Sequence, residues 1–298
     1  TSPDAASHAG NSNAITMTDQ ECVEFLQRAL PRLGLRWPGF RKVRRQVHKR
    51  INRRMEELGL AQIADYRSYL ETHPDEWRVL DVFTRISISR DTPPPGVFDH
   101  LREVVLPELA RTVQKAKGNR IRCWCAGCAS GEEPYTLAIL WNEHLQEDFP
   151  EVRLELVATD VDAEILQRAH RATYPPSSLK DVPAEWLTAA FTRSGEQFVL
   201  RPDFPQMVEF RQQDTRREVP TGPFHLILCR NLAFTYFAED VQRNVLRQIV
   251  DRLVPGGFLV VGKKETLPEG VERLRPHDAG LGIYRASRTE PPWKKRPG

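Results

Sequence analysis

The sequence predicts an α/β fold: a doubly wound, mostly parallel, Rossmann-like sheet with a small β insertion, preceded by an all-helical N-terminal domain. Three observations predict it. Up to residue 90 the apolar residues recur with helical spacing; SRDTPPPGVF then interrupts the chain with three consecutive prolines. Beyond that point short apolar runs alternate with helical patterns of about ten to fifteen residues. Continuous apolar strands separated by helices belong to a parallel sheet covered on both faces. A chain of 298 residues, 40% hydrophobic, can bury such a core.

Taken in order, residues 1–15 are rich in Ser, Ala, Asn and Gly and read as a disordered leader. The helical domain covers residues 16–90. Thr18 or Asp19 caps a first helix that runs to about Leu30, where Pro31 and Gly34 stop it. FRKVRRQVHKRINRRMEELGL follows, with Val43, Val47, Ile51 and Met55 recurring every fourth residue. Arg41, Lys42, Arg44, Arg45, Lys49, Arg50, Arg53 and Arg54 fill the rest, so residues 41–54 predict an amphipathic helix with a basic outer face. Such a face is either simply solvated or a docking surface for an acidic partner. Helical patterns at 61–71 and 76–86 complete the domain, and residues 91–97 form a stiff Pro-rich linker.

The second domain spans residues 98–287, followed by a tail at 288–298. Its pattern is a helix at 98–116, strand IRCWCAG, helix EPYTLAILWNEHL, strand RLELVATDV and helix AEILQRAHRA. Strand FHLILCRN, a helix at 239–253 and strands FLVVGKKE and GIYRA come later. Residues 174–212 break the alternation with QFVLRP and MVEFR among Pro-rich turns, predicting a β insertion of the kind that recognises substrates.

Composition narrows the function. The 43 basic and 40 acidic residues nearly cancel, and no nucleic-acid partner is expected. No run approaches the roughly 18 apolar residues of a membrane span, and no basic-then-apolar signal opens the sequence, so the expectation is a cytoplasmic protein without membrane insertion. Cys22, Cys123, Cys125, Cys128 and Cys229 are an odd set, four of them in or beside apolar strand-like runs, which predicts packed thiols rather than a disulfide framework. The C-x-C-x-x-C run lacks a fourth ligand nearby, so no metal site is expected.

The turn Ala126-Gly127-Cys128-Ala129-Ser130-Gly131 leaves the first strand of the sheet, where ligands of such sheets bind. Its small residues let a ligand approach the backbone. A phosphate would sit at the helix start that follows, but Glu132 and Glu133 stand there, and a pyrophosphate would meet like charge. A cationic ligand bearing hydroxyls would not. Asp160 ends the second strand, placed to accept hydrogen bonds from ribose hydroxyls, while Asp162 suits the cap of the next helix. A ribose acceptor, a carboxylate near a positive centre and no phosphate cradle describe S-adenosylmethionine better than a dinucleotide. Asn231, at a strand's carboxyl end, offers a ligand both donor and acceptor.

W-x-A-G-C-A-S-G-E-E-P-Y, A-T-D-V-D, L-C-R-N-L and P-G-G-F-L-V-V-G-x-x-E occur in that order after a helical unit. Over residues 18–285 the sequence thereby resembles the CheR family of chemotaxis-receptor glutamate methyltransferases. The resemblance implies a methyltransferase domain with a small β subdomain and S-adenosylmethionine as donor. It implies Glu133 and Asp160 on the donor, beside Ala126 and Gly127. It further implies Asp214 and Thr215 near the adenine, Asn231 and Leu232 at the fourth strand's end, and Ser87 and Ser89 at further donor positions.

Two departures bear on the acceptor. The family's arginine beside the methyl group falls on Pro93, and one additional residue separates Asn231 from Tyr236. A carboxylate acceptor is already ionised at neutral pH and needs no base, but it needs a guide, for which the bidentate fork of arginine is suited. Arg90, Arg230 or Lys264 must then do the positioning, with Tyr236 re-aimed. The resemblance implies a protein glutamate methyl ester as product, the basic helix meeting an acidic receptor segment. A small-molecule acceptor, or a donor-binding signalling module without turnover, remains open.

Overall fold

The computed structural model describes residues 17–86, 96–180, 182–270 and 272–287. The predicted leader, the predicted tail, Ser87, Ser89, Arg90 and residues 91–95 of the predicted linker lie outside the described residues. The chain divides into two compact units, residues 1–86 and 87–298.

The first unit is helical: α1 (Asp19–Ala29), α2 (Trp37–Phe40), α3 (Arg44–Glu57), α4 (Ile63–Thr72) and α5 (Glu76–Thr84). Thr18 caps α1 through a capping box, its side chain accepting from the Glu21 backbone N–H. The basic helix begins at Arg44 rather than 41, because the short helix α2 and a turn precede it. Val47, Ile51 and Met55 bury the face of α3 that the four-residue spacing predicts, and Phe25, Leu26, Phe40, Tyr66 and Leu80 of the same unit are buried as well.

The second unit opens with α6 (Val97–His100), a π-helical turn at Leu101–Val105 and α7 (Leu106–Lys115). Then come β1 (Arg120–Ala126), α8 (Glu132–His144), β2 (Arg153–Asp160) and α9 (Ala163–Arg171). A small antiparallel sheet follows, of β3 (Thr173–Tyr174), β4 (Phe191–Ser194) and β5 (Gln197–Leu200), with α10 (Ala184–Ala190) inside it. The chain closes with β6 (Val208–Gln212), β7 (Phe224–Cys229), α11 (Ala233–Tyr236), α12 (Glu239–Arg252), β8 (Leu253–Val261), β9 (Leu274–Asp278) and β10 (Ile283–Ala286).

The large sheet has the order β6-β2-β1-β7-β8-β10-β9. β6, β2, β1, β7 and β8 run parallel, and β10 is antiparallel to both β8 and β9. One prediction needs correction here: MVEFR is not part of the insertion, because β6 pairs in parallel with β2, Asp160 opposite Gln212. The small sheet therefore ends at Leu200. GKKE is likewise not strand; β8 stops at Val261 and the lysines lie in a turn. Helix α8 buries residues nearly all round, from Pro134 to Trp141, as a helix covered on both sides must. From β1 the chain goes outward to β2, and it later returns to β7 on β1's other side, so the strand order reverses between β1 and β7. The crevice above that reversal is where open sheets of this kind bind ligands.

Candidate functional site

The turn after β1 is held in shape by β2. Gly127 and Cys128 both donate their backbone N–H to the Thr159 carbonyl, at 2.8 and 3.0 Å. Asp160 spans the same gap with its side chain: Oδ2 accepts from Ala129 N and Oδ1 from Asp162 N, each at 3.0 Å. Ala129 has φ 48° and Gly127 φ 71°, and a Cβ on Gly127 would stand 2.8 Å from Leu232 Cδ2. Gly127 is therefore needed twice, for a left-handed backbone and for contact with the chain leaving β7. The insertion also grips the turn, since the Tyr174 hydroxyl donates to the Ser130 carbonyl at 2.8 Å. Asp162 caps α9 as predicted, accepting from Glu164 N and Ile165 N.

Charge concentrates on this turn. Glu133 pairs with Arg230, whose Nη1 donates to Oε1 at 2.5 Å; their side chains are 18% and 3% exposed. Burial pushes the Glu133 carboxyl up from the ordinary range, with Arg230 opposing. Burial likewise raises Glu132, whose Oε1 accepts from the Ser130 hydroxyl at 2.8 Å, and Asp160. Arg230, predicted to guide the acceptor, is thus placed against a predicted donor residue. Lys264, another substitute for the missing arginine, is exposed in its turn.

At the end of β7, Asn231 takes the left-handed φ of 53°. Glu265 holds it: its Oε2 accepts from Asn231 N at 2.8 Å and Gly262 N at 2.6 Å, and its Oε1 accepts from the Thr235 hydroxyl at 2.7 Å. Tyr236 ends the single helical turn of α11 and is buried to 6% exposure. Burial first, then the neighbouring Glu265, pushes the Tyr236 phenol up to about 12.

Beyond β6, Asp214 is tied to its own turn. Its carboxylate accepts from Arg216 Nε at 3.0 Å and Nη2 at 2.8 Å and from Arg216 N at 3.0 Å. Burial works upward on this carboxyl, but the Arg216 contacts outweigh it and the carboxyl sits below its ordinary value. Thr215 beside it is buried. Gln213 donates its N–H to the Asp160 carbonyl at 2.9 Å, while its own Oε1 is buried without a partner among the described residues. Sequence reasoning passed over Gln213 and Glu265; the last letter of P-G-G-F-L-V-V-G-x-x-E was the only signal for Glu265.

In the helical unit, the basic stretch divides into two classes. Arg44 pairs with Asp19 at 2.9 Å, Arg54 with the buried Glu76 at 2.8 Å, and Arg50 donates to the Phe83 and Arg85 carbonyls at 2.8 and 2.9 Å. Arg41, Lys42, Arg45 and Lys49 are exposed, with no ion pair among the described residues.

These residues fit a nucleoside with a positive centre. A turn without bulk, three carboxyls with burial-raised affinity for protons, and an orphaned buried acceptor on Gln213 are complementary to hydroxyls, a cation and an amino group. Comparison with known proteins agrees. Residues 94–280 match the family description "CheR methyltransferase, SAM binding domain", and residues 42–80 match "CheR methyltransferase, all-alpha domain". A protein of Rhodobacter capsulatus described as an uncharacterized 104.1 kDa protein in the hypE 3′ region is 32% identical over 81% of this chain, which spans only 25% of that relative. Chemotaxis protein methyltransferase 1 of Pseudomonas aeruginosa is 30% identical, over 80% of this chain and 89% of its own length. The chemotaxis protein methyltransferase of Borreliella burgdorferi is 26% identical, over 74% and 80%.

Proposed function

The chain belongs to the CheR methyltransferase family and takes S-adenosylmethionine as its donor, and we propose that it esterifies a carboxylate, a glutamate side chain on a protein. One observation carries the carboxylate reading. Arg41, Lys42, Arg45 and Lys49 stay exposed and unpaired among the described residues, while their neighbours Arg44, Arg50 and Arg54 are committed to the helical unit itself. Unpaired cations in a row suit an acidic helical segment, and acidic side chains are what ester formation consumes. The names of the Pseudomonas and Borreliella relatives favour a chemotaxis receptor as the bearer of that segment. A cytoplasmic location belongs to the same proposal.

The bound sulfonium supplies a methyl group already activated for displacement, so the chain chiefly has to hold two partners in line. Ala126 and Gly127 admit the donor to the backbone. Asp160 receives the ribose hydroxyls on the lone pairs that Ala129 N and Asp162 N leave over, since each carboxylate oxygen carries two. Glu133 puts negative charge near the sulfonium, and Arg230 keeps that carboxylate aimed. Thr215, Gln213 and the turn fixed by Asp214 border the adenine, and Asn231 with Leu232 closes the other side. Ser87 and Ser89 add further donor contacts in this proposal. Arg230 being engaged by Glu133, the guide for the acceptor carboxylate is assigned to Arg90.

The test is transfer of a labelled methyl group from S-adenosylmethionine to an acidic receptor fragment, followed by mild base. An ester releases the label as volatile methanol. Label that is stable to base, that appears on a metabolite instead, or that never leaves a tightly bound donor would overturn the glutamate assignment. Arg90→Ala should slow transfer far more than it weakens donor binding; an unchanged rate would remove Arg90 from the site.

A further inference from the structure

We propose that Glu265 is a positioning residue of the donor site, setting the conformation of Asn231 and of α11 through its two carboxylate oxygens; the inference rests on the methyl-transfer reading above. Glu265 is 8% exposed and gathers donors from three places: the end of β7 through Asn231 N, the end of β8 through Gly262 N, and the first turn of α11 through the Thr235 hydroxyl. No strand ladder joins these groups. The carboxylate takes the place of a ladder just beyond the ends of β7 and β8.

The consequence reaches the donor crevice by contact. Asn231 adopts a left-handed backbone, which a residue other than glycine holds only when its surroundings impose it. Its amide is packed tightly: a Cβ on Gly262 would lie 2.6 Å from Asn231 Oδ1 and 2.8 Å from Glu265 Oε2. Leu232, next in the chain, touches Gly127 of the turn after β1. Moving the carboxylate therefore moves Asn231, then Leu232, then one wall of the crevice. The Thr235 bond fixes α11 and with it the direction of Tyr236.

Geometry rather than charge is the requirement. Glutamine has the same length; its Oε1 can accept both backbone N–H groups, and its amide can donate to the Thr235 hydroxyl, which then accepts. Alanine removes every contact. The experiment is calorimetry of the full chain with S-adenosylmethionine and with S-adenosylhomocysteine, for parent, Glu265→Gln and Glu265→Ala, at a temperature where near-ultraviolet dichroism is native for each. Glu265→Ala should weaken both ligands by about tenfold or more, and Glu265→Gln should restore both to within about threefold of parent. A residue with only a structural role would lower the melting temperature and leave both affinities alone. Parent-like affinity in the alanine variant overturns the proposal, and so does a glutamine variant no better than alanine. Should the alanine variant not fold, Thr235→Val replaces it in the same calorimetry, with an expected weakening of about threefold for both ligands; unchanged affinities then overturn the proposal. A parent protein that binds neither ligand defeats the donor assignment itself, an outcome distinct from any of these.

Discussion

Burial raises the carboxyls of Glu132, Glu133 and Asp160 because the charged form loses solvation, and that has a cost in the fold. A folded pKa above the unfolded one contributes stability that is fully present below the unfolded value and lost as pH rises through the folded value. Glu132→Gln keeps an acceptor for the Ser130 hydroxyl and removes the buried charge. It should raise the melting temperature at about pH 7 and lose that advantage by about pH 4, where glutamate is largely protonated anyway; calorimetric scans that coincide at the higher pH would refute this. Asp160 behaves differently. Asp160→Ala strips the acceptor from Ala129 N and Asp162 N as well as from the ribose, so it should cost about 1–3 kcal/mol of stability together with donor affinity. Urea titration and calorimetry on the same variant separate the two losses, and unchanged donor affinity would refute the ribose assignment. The sequence makes Asp160 and Asp162 legible because strand end, turn and helix start are consecutive. It hides Glu265, whose partner Asn231 is 34 residues away, past the end of β7, and Gln213, whose significance is a buried oxygen without a partner among the described residues.

Periodicity predicts which face of α3 is buried, but not which of its cations are free, because Asp19 and Glu76 come from α1 and α5. Glu76 is the sharper case. Its oxygens accept from Arg54 Nε at 3.0 Å, from Arg54 Nη2 at 2.8 Å and from the buried Tyr66 hydroxyl at 3.0 Å. Glu76→Ala leaves a cation and a phenol without their shared acceptor and should destabilise the helical unit by about 3 kcal/mol. Denaturation followed at Trp37 and Trp77 measures it; a shift within experimental error would mean that water replaces the carboxylate. The strand β6 shows the opposite limit of pattern reading. An edge strand with one face half open alternates like a hairpin strand, so MVEFR following Pro-rich turns reads as insertion, and only its partner, β2, reveals a parallel edge.

A net charge of +3 conceals two opposed local fields, one in each unit: unpaired cations at 41–49 and raised carboxylates around the donor turn. They should answer salt differently. Exposed charges interact through solvent with a screening length of about 10 Å at 0.1 M salt, whereas contacts with buried carboxylates are screened far less. Raising ionic strength should therefore lower kcat/KM for an acidic protein acceptor steeply while changing donor affinity little. Arg45→Glu combined with Lys49→Glu should act in the same sense, reducing acceptor capture at low salt and flattening the salt dependence. Arg44 and Arg54 are unsuitable for that test, because removing them would lower stability as well. Steady-state kinetics across a salt series, beside donor titrations in the same buffers, gives both quantities. A salt-independent kcat/KM with a protein acceptor would mean that the basic stripe is merely solvated, and the acceptor would then have to be sought among small molecules.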